Sequence, residues 1–288
     1  MVTMEKEKIN RLDTKFIDVL NKTHLSKEEK REQYKILHRA KKQEGIKFSG
    51  KFGKVPTSMF DDKSIRSQSL ALYTYLSANA HGWKYLDFNS KIIAGRFGLS
   101  KFMKKEIDGY FQELIDNGYI KIVKKWMSGK SEFYDLSFED YSKDFSKVYT
   151  EDIYKITGDL NSPKVFSVIS AYAAIKSTLY EDKSNLNEDS GIVYASASLL
   201  EDRSKLSTGT FFTARRWLTD NCIISTIKAN LSHRQGVKKN YYSLYSEAYG
   251  LERFMIRAWI DNRINYVSEG VVVDNPEKIN QEILKMLV

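Results

Sequence analysis

Apolar and polar positions follow first a helical and then a strand period across residues 65–138. In "IRSQSLALYTYLSANA", at 65–80, Leu70, Tyr73, Leu76 and Ala80 recur at spacings of three and four, which predicts a helix with one inner face. The next segment, "FNSKIIAGRFG", begins with a helix-capping residue, Asn89 or Ser90, and ends with a glycine. It predicts a second helix of about two turns.

A third helix and a hairpin follow this short helix. In "KFMKKEIDGYFQELIDN", Met103, Ile107, Tyr110 and Leu114 share one face, and Asn117-Gly118 ends the helix. "YIKIVKKW" then alternates apolar and basic residues, "MSGK" holds a turn glycine, and "SEFYDLSF" returns as a strand. Three helices followed by a hairpin predict a winged helix, whose third helix enters the major groove while the hairpin, or wing, follows the backbone or minor groove.

The same order recurs in the second half of the chain. "SPKVFSVISAYAAIKSTLY", "SASLLEDRSKLS" and "TGTFFTARRWLTDN" predict three helices, and Leu206-Ser207 repeats the turn Leu99-Ser100. "CIISTI" and "NYYSLY" predict the strands of a second wing around a long basic tip, "KANLSHRQGVKK". We therefore predict a second, diverged winged helix.

These elements predict an α+β fold, mainly helical, with two tandem winged-helix domains. The predicted parts are a helical N-terminal arm at 1–45, a first winged helix at 46–145, a second at 150–247, and C-terminal helices at 248–288. The arm has too thin an apolar stripe to be stable as a helix alone, so we expect it to be solvated or docked on a partner. The C-terminal helices are expected to pack on the second module or to form a homodimer.

Composition limits the chemistry and favours an anionic partner. The 288 residues carry a net charge of +9, and such an excess attracts polyanions. A single cysteine excludes an intramolecular disulfide, and four scattered histidines form no structural zinc spacing, so we expect no metal and no other cofactor. No apolar run is long enough for a membrane span and no secretion signal is evident, so a cytoplasmic protein without membrane contact is expected.

The third helix and wing of the first module supply one set of candidate DNA-binding residues. With Ile107 and Tyr110 turned inward, the outward positions are Ser100, Lys101, Lys104, Lys105, Asp108, Lys124, Lys125 and Lys130. Lysines mostly contact phosphates, so base readout is expected from Ser100 or Asp108. The alternative is that these lysines form only a solvated helix face.

The second module supplies another set, with more groups suited to reading bases. Its candidates are Thr208, Thr210, Arg215, Arg216, His233, Arg234, Lys238 and Lys239. An arginine can hold the edge of a guanine with two hydrogen bonds, whereas residues of the basic tip suit phosphates or the minor groove. The sequence "FFTARRW" permits two helical phases, and the tip could instead be a mobile loop.

Residues 50–136 resemble a known family of DNA-binding domains. The segments "KVP", "LYTYL", "FNSKIIAGRFGLSK" and "LIDNGYI" are similar to the helix-turn-helix domain of replication initiator proteins from plasmids and phages of low-GC Gram-positive bacteria. The resemblance implies recognition of double-stranded DNA, often at repeated sites of an origin. Our leading hypothesis is an origin-binding protein without catalysis that recruits host replication proteins through the N-terminal arm or the C-terminal helices.

Two other functions remain open. A winged-helix transcriptional regulator, including one acting on its own gene, would use the same DNA-binding residues. A nicking enzyme or relaxase would need a metal held by paired histidines beside a catalytic tyrosine, and the closest two, His24 and His38, lie 14 positions apart. We therefore predict a protein that is not an enzyme and has no catalytic residues.

One further motif is a partial phosphate-loop spacing in "GIKFSGKF". Phe52 occupies the position where a magnesium-binding Ser or Thr would be required, and no predicted helix begins after Lys51. We interpret this segment as the boundary between the N-terminal arm and the first winged helix. Its Lys47, Lys51 and Lys54 are then candidates for contact with DNA phosphates.

Overall fold

A computed structural model describes residues 51–100, 103–179, 193–221, 223–231, 238–244 and 264–269. Within these residues the chain is a mixed α/β protein in which helix is more abundant than strand, as the sequence predicted. The predicted N-terminal arm lies outside the described residues.

The first half of the described chain contains three helices and a hairpin, as predicted, together with two elements that were not. Its elements are β1 (Phe52–Pro56), α1 (Thr57–Asp61), α2 (Ser67–Ala78), β2 (Lys84–Phe88), α3 (Ser90–Arg96), α4 (Lys104–Asp116), β3 (Ile120–Ser128) and β4 (Ser131–Phe138). The unpredicted elements are α1 and β2. Strand β1 begins in the boundary segment and contains the "KVP" that contributes to the family resemblance.

Strands β2, β4 and β3 form an antiparallel sheet in that order. The hairpin between β3 and β4 turns in two residues, because Ser128 pairs with Ser131. Gly129 opens this turn with φ +60°, a left-handed conformation that glycine adopts without steric cost. The predicted wing is therefore a tight hairpin whose basic strand, β3, lies at the edge of the sheet.

The second half repeats this order of elements. It contains β5 (Phe145–Tyr149), α5 (Thr150–Asp159), α6 (Lys164–Thr178), β6 (Val193–Tyr194), α7 (Ala197–Ser204), α8 (Thr208–Asp220), β7 (Ile224–Leu231), β8 (Lys238–Leu244) and β9 (Ile264–Glu269). The sheet order is β6-β8-β7-β9. Strands β6, β8 and β7 therefore lie side by side in the same order as β2, β4 and β3, the corresponding strands of the first half.

The prediction of helices alone at residues 248–288 is wrong at Ile264–Glu269, because these residues form β9 and pair with β7. Their sequence, "INYVSE", contains the β-branched and aromatic residues that favour strands. The remainder of that C-terminal region lies outside the described residues.

Strands β1 and β5 are two copies of one short sequence repeat, which was not among the predicted elements. Their segments read "FGKVPT" and "FSKVYT", and they pair with each other antiparallel, with Phe52 opposite Tyr149 and Pro56 opposite Phe145. Each lysine of the repeat lies over the first phenylalanine of the other copy, Lys54 over Phe145 at 4.5 Å and Lys147 over Phe52 at 5.2 Å. The repeat therefore pairs in a two-fold symmetric way, as identical subunits do in a dimer.

Helices α2 and α6 follow these strands and form the centre of the core. Every residue of α2 from Ser69 to Ala78 is buried, and α6 is buried along most of its length. The Ser170 hydroxyl of α6 donates a hydrogen bond to the Ser67 carbonyl of α2 at 2.6 Å. Aromatic rings extend this core, since Phe166 contacts Phe97 and Tyr110 at 5.2 and 5.5 Å between centroids.

Contacts divide the chain into two compact units at places other than the predicted domain boundary. One unit comprises Ser49–Thr178 and Ala197–Arg215, and thus contains both copies of the β1 repeat together with α2 and α6. The described residues of the other unit fall within Leu179–Ser196 and Arg216–Val288, and include the sheet β6-β8-β7-β9. The boundaries of two winged-helix domains thus remain a prediction.

Candidate nucleic-acid interface

Helix α4 has the two faces that its sequence predicted. Ile107 and Leu114 are fully buried, and Tyr110 is nearly so. Lys104 and Lys105 are exposed at the first turn, as is Ser100 just before the helix. Lys101 lies outside the described residues.

A capping residue fixes the position of α3 against the hairpin. Of the two predicted N-caps, Asn89 is the cap, and its side-chain oxygen accepts hydrogen bonds from the backbone N–H groups of Lys91 and Ile92 at 3.0 and 3.2 Å. Its amide group donates to the Glu132 carbonyl of β4 at 2.7 Å. One side chain thus starts α3 and ties it to the strand that carries the wing.

Asp108, a predicted base reader, lies on the exposed side of α4 but is hydrogen-bonded to another element of the protein. Its carboxylate accepts a hydrogen bond from the Ser90 hydroxyl at the start of α3. Ser90 is buried, so this bond joins the second and third predicted helices of the first module. Asp108 thereby holds α4 in place, and base readout by its carboxylate would have to compete with this bond.

The side of the hairpin next to α4 carries a network of charged and polar groups. Lys125 forms an ion pair with Glu132 at 2.5 Å, and the Tyr134 hydroxyl donates to the same carboxylate. These two bonds lower the pKa of Glu132, and the positive charge of Lys104 adds to the effect. The bond with Glu132 likewise raises the pKa values of Lys125 and Tyr134. The carboxylate of Glu132 therefore interacts electrostatically with both Lys104 and Lys125, two predicted phosphate-binding residues.

Two other predicted phosphate-binding lysines belong to the hairpin. Lys124 is exposed on β3 opposite Asp135, and Lys130 is exposed in the turn. Neither makes an ion pair within the described part of the chain. Together with Lys104 and Lys105, they form what we name the α4-hairpin lysines: Lys104, Lys105, Lys124 and Lys130.

Lys54, predicted to touch phosphate, has its ammonium group enclosed by the protein. It forms an ion pair with Asp140 at 3.0 Å and donates to the Tyr141 carbonyl at 2.5 Å. The ring of Trp83 lies 4.2 Å from the same nitrogen, in addition to Phe145. The expectation that Lys54 contacts phosphate is therefore replaced by a structural role, because its charge is already matched.

The candidates on α8 lie on its exposed side or at its edge. Thr208 and Thr210 are exposed, and their hydroxyls bond to Glu201 and Ser207 at 2.8 and 2.9 Å. Arg216 is exposed and faces Asp220 at 3.7 Å. Arg215 is half-buried and lies over the Phe212 ring. The buried Phe211, Ala214 and Leu218 settle the helical phase that the sequence left open.

The basic tip of the second hairpin is shorter than predicted. Lys238 and Lys239 are not loop residues but belong to β8, where they pair with Asn230 and Ala229 of β7. The alternation of polar with apolar residues that marks a strand is weak in "KANLSHRQGVKK". The sequence therefore did not predict that the pairing of β7 with β8 continues into this segment. His233 and Arg234 lie outside the described residues.

Sequence reasoning missed Asn89 as a link to the hairpin, and it missed Glu132 and Tyr134 altogether. Glu132 and Tyr134 stand two apart in "SEFYDLSF" and so share one face of a strand. That spacing could have placed both beside the third helix. Their charges and hydrogen bonds decide which lysines of the hairpin are free of a counter-ion, which the sequence alone did not reveal.

Comparison of the chain with protein-family models, with curated proteins and with solved structures finds no match. Across the described ranges, no group of three or more histidine, cysteine or acidic residues is arranged to hold a metal ion. Within the same part of the chain, no helix combines the length and apolarity needed to cross a bilayer. The class that the fold defines is thus a mixed α/β protein with a repeated arrangement of elements.

Proposed function

We propose that the chain is a sequence-specific double-stranded DNA-binding protein with two winged-helix modules. The observation that carries the proposal is the repeated order of helix, strand, helix, helix and hairpin, with the same sheet order in both copies. In this arrangement the helix before the hairpin is the one that enters the major groove. Helices α4 and α8 are accordingly the proposed reading helices.

The distribution of charge supports the same proposal. The α4-hairpin lysines lie at the start of α4 and along the hairpin, where a winged helix meets the DNA backbone. Lys125 is paired with Glu132, so we assign phosphate contact mainly to the lysines without an ion pair. Such contacts release counter-ions from DNA, so binding should weaken steeply as salt increases.

The biological role that we propose is initiation of plasmid or phage replication, through binding of repeated origin sites without catalysis. This part rests on the resemblance of residues 50–136 to initiator domains. Deletion of the gene from its replicon tests the role. Loss of maintenance would support initiation, whereas derepression of the gene at normal copy number would favour a regulator.

DNA binding itself is tested with duplexes that the full chain selects from a random-sequence pool. We expect Lys104→Ala with Lys105→Ala to weaken binding about tenfold at physiological salt, and to reduce the slope of log K against log salt by about 2, because two phosphate contacts are lost. The affinity would be measured by fluorescence anisotropy from low to physiological salt.

A matched control removes the same amount of charge elsewhere. Lys63 and Lys143 are exposed in the same unit but lie outside α4 and the hairpin. Lys63→Ala with Lys143→Ala should leave the slope close to that of the wild type. Equal losses in the two double variants would mean that net charge, rather than this surface, binds DNA. Enrichment of no sequence from the pool would refute sequence-specific binding.

A further inference from the structure

The pairing of β1 with β5 is centred on two equivalent residues. Lys54 pairs with Lys147, and each is the third residue of its copy of the repeat. A two-fold axis through this pair exchanges the two antiparallel strands, so each copy makes the contacts that the other makes. Contacts beyond the strands show how far this symmetry extends.

Backbone hydrogen bonds at the ends of the two strands follow the same axis. The Thr57 N–H donates to the Asp144 carbonyl at 2.7 Å. The Thr150 N–H donates to the Lys51 carbonyl at 3.1 Å. Both threonines directly follow a strand of the pair, and both carbonyl groups belong to the residue that directly precedes a strand. The two bonds therefore join equivalent donors and equivalent acceptors of opposite copies.

The turns that lead into α4 and α8 also make exchanged contacts. Gly98, in the turn between α3 and α4, lies so close to Asn161 after α5 that an added Cβ would be 2.6 Å from the Asn161 Cβ. Lys205, in the turn between α7 and α8, donates to the Phe60 and Asp62 carbonyls at the end of α1. Helices α1 and α5 are equivalent, because each begins directly after its copy of the repeat. Each turn thus contacts the end of the first helix of the other copy.

All of these contacts lie within one compact unit of the chain. The unit comprises Ser49–Thr178 and Ala197–Arg215, so it includes α4 and the N-terminal part of α8. The two proposed reading helices begin after turns that the axis exchanges. The starts of α4 and α8 are accordingly related by an approximate two-fold axis, as they are in a symmetric dimer of helix-turn-helix subunits.

We infer that one chain reads its DNA site as two half-sites in inverted orientation, with its two modules facing opposite ways along the duplex, an inference that rests on the proposed function. A two-fold protein contacts a duplex symmetrically when its axis coincides with a two-fold axis of the DNA backbone, and dimeric helix-turn-helix proteins bind palindromic sites for this reason. Modules in a translated, tandem arrangement would read half-sites in the same orientation. Because α4 and α8 differ in sequence, the two half-sites should differ in sequence as well.

The test locates four points of the full chain on a duplex that the chain selects from a random-sequence pool. In a Cys222→Ser parent, a single new cysteine carries an iron chelate that cleaves the nearest deoxyribose. Two variants label the reading helices, Gly109→Cys and Gly209→Cys, where an added Cβ meets no other described atom within 4 Å. Two label the hairpins, Ser128→Cys beside the turn from β3 to β4, and Ser232→Cys directly after β7 in sequence.

The order of the four cleavage positions along the duplex reports the orientation of the modules. We expect a symmetric order, either hairpin, helix, helix, hairpin or helix, hairpin, hairpin, helix. The alternating order of hairpin, helix, hairpin, helix would overturn the inference and leave sequence-specific binding intact. The parent treated with the same reagent gives the background cleavage, and circular dichroism would verify that each variant is folded.

A second measurement tests whether both modules bind at the same time. Insertion of five base pairs, about half a helical turn, between the α4 and α8 cleavage positions should weaken binding about tenfold or more, because one core fixes both helices while the insertion turns one half-site to the far side of the duplex. The same insertion outside the four positions is the matched control and should have no effect. Unchanged affinity after the first insertion, or cleavage from one module alone, would contradict the inference. If no sequence is enriched from the pool, the proposed function fails first.

Discussion

The two copies of the repeat, which begin at Phe52 and Phe145, are similar in sequence and pair with each other as strands. They differ in the polarity of the residues that they bury. In the first copy Gly53 follows the phenylalanine, and Met59 is fully buried on α1. In the second copy the corresponding residues are Ser146 and Asp152, and both are buried too. One copy thus buries small and apolar groups where the other buries a hydroxyl and a carboxyl group.

The apolar copy depends on close approach of the backbone. A Cβ atom at Gly53 would lie 2.5 Å from the carbonyl oxygen of Ser77 on α2, nearer than any real side chain atom can stand. The Ser77 hydroxyl also donates to the Lys54 carbonyl at 2.8 Å. Strand β1 therefore lies against α2 without an intervening side chain.

The polar copy depends on a hydrogen-bond network. The Tyr172 hydroxyl donates to Asp152 at 2.6 Å and accepts a hydrogen bond from the Tyr149 N–H at 3.1 Å. Lys176, only 1% exposed, adds its charge to the same buried region and lies over the Tyr149 ring at 4.8 Å. The two copies thus keep the same strand pairing although the buried residues at corresponding positions differ in polarity. Strand pairing therefore constrains the sequence of this repeat more strongly than the polarity of its buried residues does.

The largest effect is expected where the first copy is given the residue of the second. Gly53→Ser should lower the free energy of unfolding by about 3 kcal/mol or more, because the new side chain overlaps backbone that cannot move without shifting α2. Urea unfolding followed by circular dichroism measures this change.

The corresponding position of the second copy, Ser146, supplies the control. Ser146→Ala removes a buried hydroxyl that has no hydrogen-bond partner among the described residues, so it should change stability by less than about 1 kcal/mol, in the stabilising direction. A Gly53→Ser variant as stable as the wild type would show that the two strands tolerate the same side chains, and the contrast between the copies would disappear.

The second effect is a dependence of stability on pH that arises at Asp152 of the polar copy, where the apolar copy has Met59. Burial raises the pKa of Asp152 to about 6, although Tyr172 and Lys176 act in the opposite direction. An unfolded aspartate ionises near 3.9, so between about pH 4 and 6 the unfolded chain releases a proton that the folded chain keeps. The contribution of Asp152 is therefore greatest below pH 4 and is lost as the pH rises to about 6.

The variant Asp152→Asn removes this titration. Its free energy of unfolding relative to the wild type should increase by about 2 kcal/mol from pH 4 to pH 7, whatever the absolute effect of the substitution. Asp116→Asn, at an exposed position on α4, should show no such trend. A constant difference between Asp152→Asn and the wild type across this range would contradict a carboxyl group held protonated by burial.

Local patterns predicted most of the helices and both hairpins, since their apolar period, caps and turn glycines act within a few residues. Asn89 and Gly98 mark the ends of α3 as their sequence positions predicted. The sequence also placed Lys104 and Lys105 on the outer side of α4. These features depend on the chain near each residue and follow from it.

Long-range pairing was beyond what these local patterns could predict. The antiparallel pairing of β1 with β5 joins segments about ninety residues apart, and the similarity of "FGKVPT" to "FSKVYT" was the only local signal for it. The engagement of Asp108 by Ser90 and of Lys125 by Glu132 likewise depends on which elements meet. The exposure and charge of the residues at the candidate site were thus predictable, whereas the hydrogen bonds and ion pairs that these residues form within the protein were not.

The turns between the second and third helices extend the comparison of the two halves. Gly98 and Lys205 both have left-handed backbones, with φ +62° and +57°. The following N–H groups, of Leu99 and Leu206, return to the Ala94 and Glu201 carbonyls at 2.8 and 3.2 Å, which is a common helix ending. Lysine in this conformation is strained, but its ammonium group donates to the Phe60 and Asp62 carbonyls at 3.1 and 2.7 Å.

The smallest effect separates this strain from those hydrogen bonds. Lys205→Ala and Lys205→Gly both lose the ammonium group, so both should be less stable than the wild type, but the glycine variant should be the more stable of the two by about 1 kcal/mol. Lys155, in the middle of α5, is the control, because there alanine should be favoured over glycine by a similar amount. Urea unfolding of the four variants measures both differences, and the same sign at the two positions would mean that Lys205 is not strained.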